Sequence, residues 1–192
     1  MSKNVYTVGF LLFIANMLVF FGAYFFAYNT NYFNTSMLLN AFALPALYTF
    51  FAYWSVNSLK KEKGTLSFKD GFGGAFKPMF IGGLLSMISI FGFLNFVDTD
   101  AKDTLNFQFV ERNKKELTDI YQKQRSIMKT EKEKQELDKD YQKSIQSFSP
   151  EMVKDKDMFN FRQFTYYFAA VLVFYTILST FFGSFFRSKT VV

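Results

Sequence analysis

The chain has no cysteine and no histidine, and its 192 residues include only three prolines and one tryptophan. Those absences remove disulfide scaffolds, thiol nucleophiles, Cys/His zinc sites and every mechanism that needs an imidazole. The most informative scarcity is of charge. After Lys3 the next charged residue is Lys60, so 56 consecutive residues, 4–59, carry none. A soluble core does not read like that. What fills the run is apolar and aromatic: the chain holds 29 Phe and 11 Tyr.

A hydrocarbon core about 30 Å thick takes roughly 20 helical residues to cross. The uncharged run is long enough for two crossings, and the polar stretch Asn29-Thr30-Asn31-Tyr32-Phe33-Asn34-Thr35-Ser36 divides it. Spans are expected at residues 5–28 and 37–59, then at 78–97 and 163–186, where the remaining uncharged stretches fall. The first is too long for the core of a cleavable signal peptide, and no small-x-small site follows it.

Orientation follows from Lys and Arg. The turn after span one is uncharged, whereas the connection between spans two and three carries Lys60, Lys61, Lys63, Lys69 and Lys77 against Glu62 and Asp70. With Lys3 at one terminus and Arg187 and Lys189 at the other, these segments account for the whole net charge of +6. Both termini and the lysine connection are therefore expected in the cytoplasm, and residues 98–161 outside it. Tyr24, Tyr28, Tyr32, Tyr166 and Tyr167 are placed as anchors at the outer interface, with Tyr6, Tyr53 and Trp54 at the inner one. Basic charge confined to membrane-adjacent segments points to lipid headgroups as a partner and away from nucleic acid.

Residues 98–161 hold 13 basic and 14 acidic side chains, yet they are patterned. Leu117, Ile120, Tyr121, Gln124, Ile127 and Met128 follow helical spacing, as do Leu137, Tyr141, Ile145 and Phe148. Thr130-Glu131-Lys132-Glu133 fits a capping box, and Ser149-Pro150-Glu151 offers a further helix start. The expectation is two helices, 103–129 and 130–148, then a short third leading into span four. The fold class is thus an all-α membrane protein: four transmembrane helices, with an extracytoplasmic helical hairpin between the third and fourth. Residues 1–97 form the first three spans, 98–161 the hairpin, and 162–192 the last span and a basic tail. The hairpin is either a solvated connector or a docking arm. A structured insertion this long, where a short loop suffices, favours docking through Leu117, Tyr121, Met128, Leu137, Tyr141 and Ile145.

The stretch Leu66-Ser67-Phe68-Lys69-Asp70-Gly71-Phe72, continuing through Ala75-Phe76-Lys77, resembles the domain of unknown function 4199 family, small four-span inner-membrane proteins of Bacteroidota. Asn95-Phe96-Val97-Asp98 and the Ser149-Pro150 break support the likeness, as do the charged helical insertion and the basic C-terminus. The resemblance implies an inner-membrane setting and four spans. It implies no activity and transfers no catalytic residue. Through the genomic neighbourhood of such proteins it makes a polyprenyl-phosphate sugar transferase a candidate partner.

No catalytic, cofactor or metal constellation stands out. The expected spans contain no Asp, Glu, Lys, Arg or His, and such residues are the usual marks of proton relays and coupled transport. Pro45 reads as a tolerated kink and Asn16 as an interhelical hydrogen-bonding amide. Gly74, Pro78, Gly82 and Ser86, extended by Gly83, Ser89 and Gly92, make span three the central packing helix. Gly71-Phe72-Gly73-Gly74-Ala75-Phe76-Lys77 fails the spacing of a phosphate-binding loop and reads as an interfacial turn. Lys60, Lys61, Lys63, Lys69 and Lys77 are the candidate lipid-headgroup contacts. Asp98, Asp100 and Asp103 read as acids favouring a helix start over a cation site.

Sequence alone thus favours a non-catalytic accessory or scaffold subunit without cofactor. The alternatives are a transporter or channel component, and an enzyme or enzyme partner acting on a lipid-linked substrate such as a polyprenyl-phosphate sugar. The charge asymmetry predicts that a Ser126→Cys chain, on its cysteine-free background, reacts with an impermeant thiol reagent in intact cells. Labelling only after lysis reverses the orientation.

Overall fold

The computed structural model describes residues 4–29, 31–149 and 157–188. Among them every regular element is helical. Four helices are long and apolar enough to cross a membrane: α1 (Val5–Ala27), α2 (Tyr32–Lys63), α3 (Phe68–Val97) and α6 (Phe161–Phe185). Between α3 and α6 lie α4 (Thr99–Ile127) and α5 (Glu131–Gln146).

The helices start where side chains can satisfy exposed backbone N–H groups. Asn4 accepts from the Tyr6 amide, Asp98 from Ala101 and Asn160 from Gln163. Ser67 with Asp70, and Thr130 with Glu133, form reciprocal capping boxes. The second is the one expected from the sequence. α2 stops at Gly64, whose φ of 74° lies in the left-handed region that favours glycine.

Several boundaries differ from expectation. α2 begins at Tyr32, so the turn after α1 is shorter than the polar stretch suggests; Thr30 itself lies outside the described residues. α3 begins at Phe68 rather than Pro78, which makes Gly71–Lys77 helix and not an interfacial turn. The Ser67/Asp70 box supplies the start, and its Asp70 carboxylate is also held by Lys63 at 2.5 Å. α4 begins at Thr99, because Asp98 already caps it. The helix start expected at Ser149-Pro150-Glu151 and the short helix expected after it rest on residues 150–156, which lie outside the described residues, as do Lys3 and Lys189.

Two π-helical turns adjust the spans. Leu39–Ala43 directly precedes the segment whose early position holds Pro45. A wider turn there accommodates a residue that has no N–H to donate, and α2 continues through it. Phe93–Val97 ends α3, where the Asp98 amide donates to the Phe93 carbonyl at 2.9 Å.

α3 is the central helix, packed on α1, α6 and α2. Its small-residue face is buried at Gly71, Gly74, Ala75, Pro78, Gly82, Gly83 and Ser86, as the spacing implies. The approach is close enough to exclude larger side chains. A Cβ on Gly82 would stand 2.7 Å from the Gly9 carbonyl oxygen of α1, and one on Gly71 only 2.9 Å from the Gly183 Cα of α6. Around this face Val8, Leu12, Ala52, Val56, Met79 and Tyr175 form the buried centre. Away from it Phe10, Leu18, Phe26, Phe42 and Phe181 stay exposed, as side chains facing hydrocarbon do.

A Cβ on Gly83 would collide with the Tyr175 hydroxyl. Gly83→Ala is expected to cost about 1–3 kcal/mol through overpacking, read as a lower unfolding temperature in detergent. Adding Tyr175→Phe should recover part of the loss. A double variant no more stable than the single one would break the assignment of this contact.

Candidate functional site: the arm and its seat on the bundle

The first four turns of α4 are not a free arm. Ala101 and Leu105 are buried with Ala23, Tyr32 and Leu94 in a second core that caps the ends of α1, α2 and α3. Phe93 stands among Phe20, Phe21 and Tyr24 with ring centroids 5.2–5.6 Å apart and near-perpendicular planes. Such edge-to-face packing sets ring hydrogens against ring faces. Tyr32, expected as an interface anchor, is instead buried in this core. Tyr6, Tyr28, Tyr53, Tyr166 and Tyr167 are exposed, as anchors require.

Polar groups fix the seat. The Tyr24 hydroxyl donates to the Asp98 carboxylate at 2.6 Å. That bond, then the Ala101 amide, holds the Asp98 carboxyl below its usual range. Gln108 fastens the α1–α2 turn from both sides, accepting from the Phe33 amide at 2.7 Å and donating to the Asn29 carbonyl at 2.6 Å. One turn on, Arg112 reaches Asn34 at 3.0 Å and the Met37 sulfur at 2.9 Å. The segment entering α6 is tied to the same base. Asp157 accepts from Asn106 at 2.9 Å and faces Lys102 at 3.3 Å, and Asn95 donates to the Phe159 carbonyl at 3.0 Å. Burial raises the Asp157 carboxyl, but bonds from Asn106 and the Phe159 amide, with Lys102 beside it, outweigh burial and hold it low.

Beyond Arg112, α4 is held by α5 rather than by the spans. The Tyr121 and Tyr141 rings stack with centroids 4.0 Å apart. The Tyr121 hydroxyl donates to Asp138 at 2.7 Å, Arg125 pairs with the same carboxylate at 3.1 Å, and Thr118 meets the Tyr141 hydroxyl at 3.1 Å. Tyr121 and Arg125 together keep the Asp138 carboxyl low.

The six residues singled out for docking, Leu117, Tyr121, Met128, Leu137, Tyr141 and Ile145, are half-buried. Tyr121 and Tyr141 are committed to each other. Beyond Arg112 the large apolar side chains that stay outward among the described residues are Ile120 and Ile127, and the latter lines an elbow cleft with Gln124, Met128 and Glu133. Of the five lysines proposed for headgroups, all are exposed; Lys63 is engaged by Asp70, and none of the others is ion-paired among the described residues. Lys69 and Lys77 lie on the first turns of α3, not in a loop. Asp98 is turned inward as a cap, whereas Asp100 and Asp103 are exposed and stand apart from any described cluster of three metal-competent side chains.

Within the bundle, Asn16 crosses between helices as an amide in hydrocarbon does. It donates to the Tyr48 hydroxyl of α2 at 2.8 Å and to Ser86 of α3 at 3.0 Å. Tyr48 in turn stacks on Tyr175 of α6, 5.0 Å between centroids. Four helices thus meet at one uncharged polar centre.

Among the described residues these features define an all-helical fold, four of its helices long and apolar enough to cross a membrane, with two further helices rooted on one end of the bundle. The chain matches the family described as "Protein of unknown function (DUF4199)" over residues 7–188, and it belongs to that family. No curated protein and no solved structure matches it.

The seat was missed in the sequence because Gln108 and Arg112 look like ordinary solvated positions of a charged helix. A low Asp98 carboxyl stabilises the fold above its unfolded pKa, near 3.9, and that contribution disappears as pH falls through the lower folded value. Asp98→Ala is expected to cost about 1 kcal/mol as a lost cap. Hydrogen exchange at the amides of residues 99–105 should accelerate in the variant at neutral pH. Unchanged protection would mean that the aromatic core alone holds α4.

Proposed function

We propose that the protein is a non-catalytic membrane accessory or scaffold subunit whose α4–α5 hairpin docks a partner protein outside the cytoplasm. It sits in the inner membrane with both termini cytoplasmic and residues 98–161 periplasmic. One observation carries this reading: the base of α4 is fastened to two span connections at once, through Gln108 to the α1–α2 turn and through Asn106 to the segment entering α6. A connector needs no such rigging. An element that transmits a fixed position from bundle to partner does, since preorganisation lowers the entropic cost of binding.

The docking surface lies on the distal half, where Ile120 and Ile127 are outward, 52% and 76% exposed, amid charged neighbours. That composition, a small apolar centre inside a charged rim, suits a helical partner with a matching apolar stripe.

A transport role is the second reading. Asn16 Oδ1, Ser55 Oγ and Ser179 Oγ are buried without a hydrogen-bond partner among the described residues, and polar atoms of that kind line permeation paths as well as bundle cores.

Because α4 and α5 pair at Thr118 with Tyr141, residues 118–143 can be replaced by a short Gly/Ser turn that leaves the seat intact. Native purification with lysine cross-linking should yield one stoichiometric partner, with links mapping to residues 114–143. The shortened chain, still membrane-inserted, should lose it. Recovery of the same partner by the shortened chain would overturn docking through the arm. Solute flux in proteoliposomes that Asn16→Leu abolishes would favour the second reading.

A further inference from the structure

α2 and α6 meet at Tyr48 against Tyr175 and at Tyr53 against Phe182 and Phe186. On the surface beside these contacts a groove opens. Pro45, Ala46 and Thr49 contribute its small residues, and Phe50, Phe181 and Phe185 its rings. Of the two hydroxyls that line it, Thr49 and Tyr53, the first is spent internally, because Thr49 Oγ donates to the Pro45 carbonyl at 2.8 Å. The three rings are exposed. Both helices are membrane-spanning in length and composition, so the groove faces hydrocarbon.

The end of the groove has a different chemistry. Phe186 adjoins Phe185 and Tyr53, and the Lys60 ammonium lies 5.4 Å from the centre of the Phe186 ring. Arg187 follows, exposed. Neither Lys60 nor Arg187 is in an ion pair with any described carboxylate. From Tyr53 back to Pro45 is about 12 Å of helix at roughly 1.5 Å per residue, close to the depth of one leaflet's hydrocarbon. An apolar slot one leaflet deep, with cations at its interfacial end that pair with no described carboxylate, is complementary to a single amphiphile of negative head charge.

We infer that the α2–α6 groove is a binding site for an anionic phospholipid, with one acyl chain between Phe50 and the Phe181/Phe185 rings and its phosphate at Lys60 and Arg187. The site is independent of the arm and of any partner docked there. Its cations overlap the lysine set of the sequence only at Lys60. Lys69 and Lys77, on the first turns of α3, take no part.

The full chain, purified in detergent and delipidated, is to be titrated with phosphatidylglycerol and with phosphatidylcholine and followed by native mass spectrometry. One phosphatidylglycerol should be retained, about thirtyfold more tightly than phosphatidylcholine, given about 1 kcal/mol for each of the two basic side chains at the interface. Lys60→Gln with Arg187→Gln should erase that preference, while Lys69→Gln with Lys77→Gln should keep it. Trp54, the single tryptophan and 6.1 Å from the Phe50 ring, gives a second readout. Phosphatidylglycerol with brominated chains should quench it at low mole fraction, and Ala46→Phe, which fills the groove, should weaken the quenching. Equal retention of the two lipids, or a preference that survives Lys60→Gln with Arg187→Gln, overturns the proposal. If Ala46→Phe fails to fold, the two charge variants still decide it, because their changes are confined to the exposed surface.

Discussion

Everything else in the structure depends on how closely α3 approaches its neighbours. In hydrocarbon, helices gain little by hiding apolar surface, so association rests on contact area and on the few polar bonds that cross between helices. α3 secures that contact by removing side chains from one face. Gly82 lets the Gly9 backbone of α1 come near, and Gly71 meets Gly183 of α6. With α1 and α6 drawn in on the same helix, Asn16 is placed to reach both Tyr48 and Ser86, and Tyr48 to stack on Tyr175. The polar centre is thus a consequence of the glycine crossings.

The same helix sets the seat of the arm. α3 ends in a π-helical turn, and its last residues bring Phe93 into the aromatic core while Asp98 becomes the cap of α4. Span and arm are therefore joined by a single residue with a hydrogen-bonded side chain, not by a loop. Tyr24 of α1 takes hold of that residue, and Gln108, further along, takes hold of the α1–α2 turn. A displacement of α1 against α3 would be felt at the base of α4. Rigid connection between bundle and arm is the structural basis of the scaffold reading.

Charge is divided between the two ends in a way that packing does not require. Near α4 and α5, acids and bases are interleaved along the chain and several pair, as Lys102 with Asp157 and Arg125 with Asp138. At the other end Lys60, Lys61, Lys69, Lys77 and Arg187 have no ion-pair partner among the described residues, and only Lys63 does. Interleaved charge of both signs suits a surface meeting water or protein; a net-cationic cluster suits one meeting anionic headgroups.

The sequence by itself determined the number of helices long and apolar enough to cross a membrane and which of them is central, because each depends on composition along a run of residues. Fifty-six uncharged residues suit hydrocarbon and not a soluble core, and a glycine every few positions marks a crossing wherever its partner lies. The capping box at Thr130 was legible for the same reason, since donor and acceptor are three residues apart. Tertiary structure alone decided where α4 is held and which faces remain free. Gln108 meets Asn29 from 79 positions away, and Lys60 lies beside Phe186 across the whole chain. Neither residue differs by type from its solvated neighbours. Their roles come from what the folded chain places opposite them, and local periodicity contains no term for that.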